Sequence, residues 1–354
     1  MTPLARLIAA RIRLSGPMGL DEYMRLCLLH PEHGYYATRD PFGAGGDFTT
    51  APEISQIFGE MVGLALAQAW LDQGAPSPFT LAEIGPGRGT LMADILRAIR
   101  IVPGMAEAAR VALVEASPHL RRIQRDRLGA VAHLDDVSQL PQAPLFLVAN
   151  EFFDALPIRQ FRRGARGWAE RVVALDGQGG LEMGLVPASD AALPPAPQGV
   201  IRETCPEALP IVAQLAARIA AHGGCAILID YGGWDGQGDT FQALRRHRPE
   251  DPLANPGQAD LTAHVDFAPL AAAARAAGAR VSRMVAQGDW LKRLGIEARA
   301  RRLERAGDGG AMAALHRLTA PDEMGQLFKV LAFWARHAPV PAGFEPLDDD
   351  ADDA

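Results

Sequence analysis

Glu83-Ile84-Gly85-Pro86-Gly87-Arg88-Gly89 follows an apolar run that begins at Phe79, and Leu91-Met92-Ala93-Asp94-Ile95-Leu96 follows it at helical spacing. Strand, glycine turn and helix in that order make a βα unit. Its glycines let the backbone approach a ligand, and its helix N-terminus is free to donate hydrogen bonds. Working outward, residues 111–116 read as a second buried strand, 117–128 as a helix, 132–134 as a short third strand and 145–149 as a fourth. Helical spacing returns over 211–221. A strand follows over 225–230, then a helix over 266–277 and closing strands over 280–285 and 326–333. Strands alternating with helices imply parallel strands joined by right-handed crossovers, hence a doubly wound, Rossmann-like α/β sheet.

The expected division is a helical N-terminal extension over 1–70, the first half of the core over 71–161, an inserted subdomain over 162–210 and the second half over 211–338. Within that second half, 235–265 reads as a substrate loop. Its polar stretch 235–258 is too long for a plain connector. Residues 339–354, rich in proline and aspartate, read as a disordered tail.

The charge of the turn selects the ligand. A dinucleotide fingerprint needs G-x-G-x-x-G, but Gly85, Gly87 and Gly89 run G-x-G-x-G and Thr90 takes the third position. Glu83, two residues before the first glycine, would repel a pyrophosphate; it suits S-adenosyl-L-methionine, which carries a sulfonium and an ammonium. Glu83, Gly85, Pro86, Gly87, Gly89 and Thr90 are therefore expected to bind that cofactor, with a bare βα turn as the alternative. Glu115, ending the second strand, is placed to accept from ribose hydroxyls, or is a solvated strand end. Asp135 and Asp136 are placed to receive the adenine amino group, or to cap a helix. Asn150-Glu151-Phe152-Phe153-Asp154-Ala155-Leu156-Pro157 leaves the fourth strand at the carboxyl edge, where open α/β sheets bind ligands.

Composition excludes several classes. No apolar run approaches the roughly 18 residues of a membrane span, and the first residues lack a secretory pattern. Cys27, Cys205 and Cys225 are too few and too dispersed for a disulfide framework or zinc site, which points to a reducing cytoplasm. Lysine occurs only at Lys292 and Lys329 beside abundant arginine, a bias expected of a GC-rich bacterium. The net charge of -7 owes five of its negatives to the last seven residues. The body is nearly balanced and offers a polyanion no global attraction. His30 and His33 lack a third metal ligand nearby, and the arginine runs 121–127, 245–248 and 299–305 read as solvated faces rather than as an RNA surface.

Gly46-Asp47-Phe48-Thr49-Thr50-Ala51-Pro52-Glu53-Ile54-Ser55-Gln56-Ile57-Phe58-Gly59-Glu60 resembles the signature of the MidA family of class I methyltransferases. Ordered matches continue in His30-Pro31-Glu32-His33-Gly34-Tyr35-Tyr36, the glycine turn and Val114-Glu115-Ala116-Ser117-Pro118. They extend through Asn150 to Pro157, Asp230-Tyr231-Gly232, Ala259 to Phe267 and Met324 to Lys329. The resemblance implies a protein arginine N-methyltransferase whose client is the 49-kDa subunit of respiratory complex I, symmetrically dimethylated during assembly. Methylation of another substrate, a small molecule or RNA, and a cofactor-binding assembly factor with secondary chemistry remain alternatives. A guanidinium stays protonated, with pKa above roughly 12, and presents no free lone pair. Glu151, with Glu53 or Asp154, is accordingly expected to bind and polarise it while Asn150 orients the attacking nitrogen. His247, His264 and Tyr231 are open between pocket and packing roles.

Overall fold

Phe79–Ile84 (β1) and Leu145–Asn150 (β4) are buried along their whole length, as their unbroken apolar runs require of central strands covered on both faces. Ala109–Val114 (β2) and Ala132–Leu134 (β3) continue the sheet on one side of β1. On the other side, β4 pairs in parallel with Gly224–Gly233 (β5). Phe328–Trp334 (β7) then pairs antiparallel with β5, and Arg280–Val281 (β6) antiparallel with β7. The order is β3-β2-β1-β4-β5-β7-β6. The last strand thus departs from the expected all-parallel run. It enters between β5 and β6 after a helical detour and returns in the opposite sense.

The computed structural model describes residues 1–38, 49–188 and 193–347, so Asp47 and the acidic end lie outside the described residues. These fall into two units. One comprises Met1–Phe48, Asp154–Ala208 and Gly233–Asp266; the other, which holds the sheet above, comprises Thr49–Phe153, Leu209–Gly232 and Phe267–Ala354. The helical region expected over 1–70 is therefore shared between the two.

In the sheet unit, Gln56–Asp72 (α1) is apolar almost all round and buried on most sides. It packs on Thr90–Ile99 (α2), and the contact is close because α1 presents glycines there. A Cβ on Gly59 would stand 2.5 Å from Asp94 Cβ, and one on Gly63 would stand 3.1 Å from Ala98 Cβ. Pro118–Leu128 (α3) and Ala208–His222 (α4) are further crossover helices. Residues 287–319, between the two closing strands, form helices Gln287–Arg293, Ile296–Arg305 and Ala311–Thr319. The arginine run 299–305 is only partly a solvated face. Arg299 makes a two-pronged ion pair to buried Glu60, at 2.7 and 2.9 Å. Residues 339–347 are not the start of a loose tail: Phe344 is buried against Trp290, and Leu347 N donates to Val281 O at 2.8 Å. No helix among the described residues is long and apolar enough to cross a membrane.

The other unit packs helices Pro3–Ser15 and Leu20–Leu29 on an antiparallel sheet. In that sheet Gly167–Leu175 lies between Met18–Gly19 and Arg159–Gly164, Ile201–Thr204 extends it, and Leu181–Pro187 also pairs with Gly167–Leu175. Among the described residues, 162–210 thus holds three of these strands whole and the end of a fourth. The stretch 235–258 also has structure of its own: Gln242–Arg245 pairs with both Arg248–Glu250 and Asp260–Thr262. Its hairpin turns through Arg246 and His247 at φ +52° and +60°. Two successive left-handed residues are the geometry usually signalled by Asn-Gly, and without that signal the hairpin was hidden in the sequence. His247 sits at its tip.

Candidate functional site

The glycine turn leaves β1 at the carboxyl edge with Gly85, Gly87 and Gly89 at φ +64°, +52° and +75°. Those are conformations a side chain resists. Gly85 carries a second constraint, since a Cβ there would stand 2.8 Å from Phe152 Cδ2. Gly89 opens α2, whose first residue is Thr90.

Glu83 lies at the end of β1, 3% exposed. Burial pushes its carboxyl up to about 8; a hydrogen bond from the Met92 backbone opposes the rise, and Glu115 adds to it. Its Oε2 is buried with no hydrogen-bond partner, and so is Oδ1 of Asn150. Ile84 faces Ala149 in the register of β1 and β4, so both unsatisfied acceptors emerge at one edge of the sheet. Buried acceptors without donors cost roughly 1–3 kcal/mol each, more for charged groups. A ligand bearing an ammonium removes that cost, and these residues fit such a group.

Glu115 is buried where β2 ends, accepting from Ser117 N at 2.7 Å and from Gln124 Nε2 at 3.3 Å. Gln124 is fully buried in α3 and also donates to Gly87 O at 2.7 Å, tying the glycine turn to Glu115. His133 Nε2 lies 2.9 Å from Gln124 Oε1. No sequence motif pointed to Gln124; a lone glutamine in a helix of arginines carries no signal. Of the two aspartates after β3, Asp136 accepts from Ser138 N at 2.7 Å and caps the 3₁₀ turn Val137–Gln139, a bond that lowers its pKa. Asp135 is exposed and pairs with Arg121 at 2.6 Å. Arg121 also donates to Glu115 O and Leu134 O, and Arg127 donates to Thr90 Oγ1, so the 121–127 run is partly built into the site.

At the end of β4 Glu151 takes φ +51°, a left-handed conformation rarely held by a side chain as large as glutamate. Such strain costs on the order of 1 kcal/mol and marks a position held by its surroundings. Here its N–H donates to Ile229 O at 2.9 Å, while Oε1 accepts from Ala51 N and from Asn150 Nδ2, both at 3.0 Å. Two residues beyond Ala51, Glu53 Oε1 accepts from Thr90 Oγ1 at 2.5 Å. The short helix Ala51–Ile54 therefore joins the Asn150-Glu151 edge to the start of α2 and brings Glu53, Thr90, Asn150 and Glu151 into one network. Asp154 falls in the other unit. There it is buried, its carbonyl accepts from Ala263 N at 3.0 Å, and its charge acts on Tyr36, whose hydroxyl is 2.8 Å from Asp260 Oδ1. Burial first, then Asp260 and Asp154, hold the Tyr36 phenol protonated.

Asp230, at the end of β5, completes the edge and was missed as a site residue, since an acid closing an apolar strand also reads as its solvated end. It is fully buried. One carboxylate oxygen accepts from Phe152 N at 3.2 Å and Phe153 N at 3.0 Å, and the other from Tyr231 N at 3.0 Å. It holds the loop that carries Phe152 against Gly85.

Residues 61–285 match the sequence profile of a family described as S-adenosyl-L-methionine-dependent methyltransferases. The mitochondrial protein arginine methyltransferase NDUFAF7 of Danio rerio is 36% identical over 91% of this chain and 84% of its own. The protein of the same name from Homo sapiens is 34% identical over 94% and 83%. A Burkholderia thailandensis crystal structure with S-adenosyl-homocysteine bound superposes with a TM-score of 0.86 at 32% identity, covering 96% of this chain and 93% of that one.

Proposed function

The chain belongs to the MidA family of S-adenosyl-L-methionine-dependent methyltransferases, and from that premise we propose that it methylates an arginine of a protein substrate. One observation carries the proposal: Glu151, strained and cross-braced, stands at the carboxyl edge beside Asn150 and joined through Ala51–Ile54 to Glu53. The names of the curated relatives support the arginine specificity.

Glu83, the backbone from Gly85 to Thr90, Glu115 and Asn150 would hold the cofactor, with Asp135 or Asp136 toward its base. When bound, it supplies an electrophilic methyl on a sulfonium. The chain's own residues do the rest. Glu151 binds the guanidinium and draws its positive charge toward the carboxylate, leaving electron density on the nitrogen directed at the methyl. Asn150 orients that nitrogen, Glu53 fixes Thr90 at the start of α2, and Asp230 keeps Phe152 seated on Gly85. The client we propose is the 49-kDa subunit homologue of complex I, dimethylated symmetrically during assembly. The setting is the bacterial cytoplasm, which the arginine-for-lysine bias and the unpaired cysteines support.

The test compares arginine-bearing and lysine-bearing versions of one client peptide, with labelled cofactor. Transfer to the arginine version alone is expected; equal transfer to both would remove the guanidinium from the argument.

A further inference from the structure

Away from the carboxyl-edge network, α4 and the segment 137–142 enclose an open cleft of about 340 Å³ lined by Ser138, Gln142, Gln214, Ala217 and Arg218. All five belong to the sheet unit. Arg218 is 7% exposed and its Nε is buried without an acceptor. Its one hydrogen bond among the described residues runs from Nη1 to Val137 O at 3.2 Å. No carboxylate among the described residues lies within ion-pair distance of it. Burial lowers its pKa, with no neighbouring acid acting the other way. A guanidinium stays charged when buried, and buried charges are ordinarily paired. This one is paired with nothing but a carbonyl, and it lines an open cleft.

The rest of the lining has matching chemistry. Gln214 offers an amide, and no acid lines the cleft; the Ser138 hydroxyl is hydrogen-bonded to Asp136. Gln142 Oε1 is 3.1 Å from His222 Nε2, which occupies the amide's acceptor and leaves its NH₂ as donor. Asp136, the nearest carboxylate in sequence, is engaged in capping Ser138 N. A cation with free donors, ringed by neutral donors, recognises an oxyanion. The volume is at the small end of ligand pockets, larger than a bare phosphate needs.

We infer that this cleft binds a small ligand through an oxyanion, a phosphate or carboxylate group held by Arg218 with Gln142 and Gln214, at a site separate from that of the methyl donor. The test uses the full chain, with inorganic phosphate and citrate as probes at constant ionic strength and chloride as the control, read by calorimetry and by thermal shift. Saturable binding of one probe is expected, phosphate or citrate according to which oxyanion the site takes. Arg218→Gln should weaken it by about tenfold or more while S-adenosyl-homocysteine affinity stays unchanged. Gln214→Leu, which keeps the guanidinium and removes an amide donor, gives a second variant if Arg218→Gln does not fold, and should weaken binding in the same direction. No saturable binding to the native chain, or equal binding by the native chain and the folded variants, would overturn the inference.

Discussion

Replacing Glu83 by glutamine should make the cofactor-free protein more stable and the cofactor-bound protein rarer. Burial raises the carboxyl from 4.5 to about 8, so the folded state holds the proton more tightly than the unfolded one. The sign is that of a raised acid. Its unfavourable contribution is absent below about pH 4.5, grows as pH rises and levels off above about pH 8. At about 1.4 kcal/mol per pKa unit, ionising Glu83 opposes folding by about 3 kcal/mol at pH 7 and about 5 kcal/mol above pH 9. Glu83→Gln keeps an acceptor for Met92 N and carries no charge. Its stability advantage over the native protein should therefore appear only above pH 4.5 and increase toward pH 8. An ammonium placed at Oε2 reverses the preference, so S-adenosyl-homocysteine, which keeps that ammonium, should expel close to one proton per site at pH 7 and few at pH 9. Calorimetry in two buffers of different ionisation enthalpy reads this directly. Buffer-independent heats at pH 7, or native affinity in Glu83→Gln, would refute the reasoning.

Further outcomes follow from the same geometry. Glu151→Gly should relax the φ of +51° but leave Ala51 N and Asn150 Nδ2 without their acceptor, so stability should fall by no more than about 1–2 kcal/mol while methyl transfer is lost, as thermal unfolding and a radiolabel assay would show together. Gly85→Ala must move Phe152 and adopt a strained φ; we expect a loss of about 1–3 kcal/mol and at least tenfold weaker cofactor binding by calorimetry. Asp230→Ala removes the acceptor for three backbone N–H groups, so kcat should fall further than protein stability accounts for, whereas Asp230→Asn, which retains one oxygen, should recover part of it. Arg299→Met leaves buried Glu60 with only the longer Arg97 contact at 3.7 Å, and denaturant unfolding should show a loss of about 1–3 kcal/mol.

The half of the sheet around β1 was legible because its strands are buried on both faces and its turn is written in glycine, two signals that depend on a few adjacent residues. The positions of Glu83, Glu115 and Glu151 at that edge were legible for the same reason, each lying at or next to a strand end. What escaped depends on distant partners. The antiparallel β7 has the same apolar pattern as a parallel strand, and direction is set by the helices before it. Arg299 looks solvated until Glu60, on a helix far off in sequence, is set beside it. Gln124 and Asp230 act by bonding backbone groups of other segments, which leaves no local pattern. The Arg246-His247 turn was hidden because residues other than glycine and asparagine adopt its left-handed geometry.

The central claim is that the edge carrying Glu151 handles an arginine. Purified chain, labelled S-adenosyl-L-methionine and the 49-kDa subunit homologue from the same source, followed by mass-spectrometric site mapping, test it most directly. The account predicts methyl groups on an arginine, lost with Glu151→Gln at saturating client although S-adenosyl-homocysteine still binds. Label on another residue type, or undiminished transfer by Glu151→Gln, would contradict it.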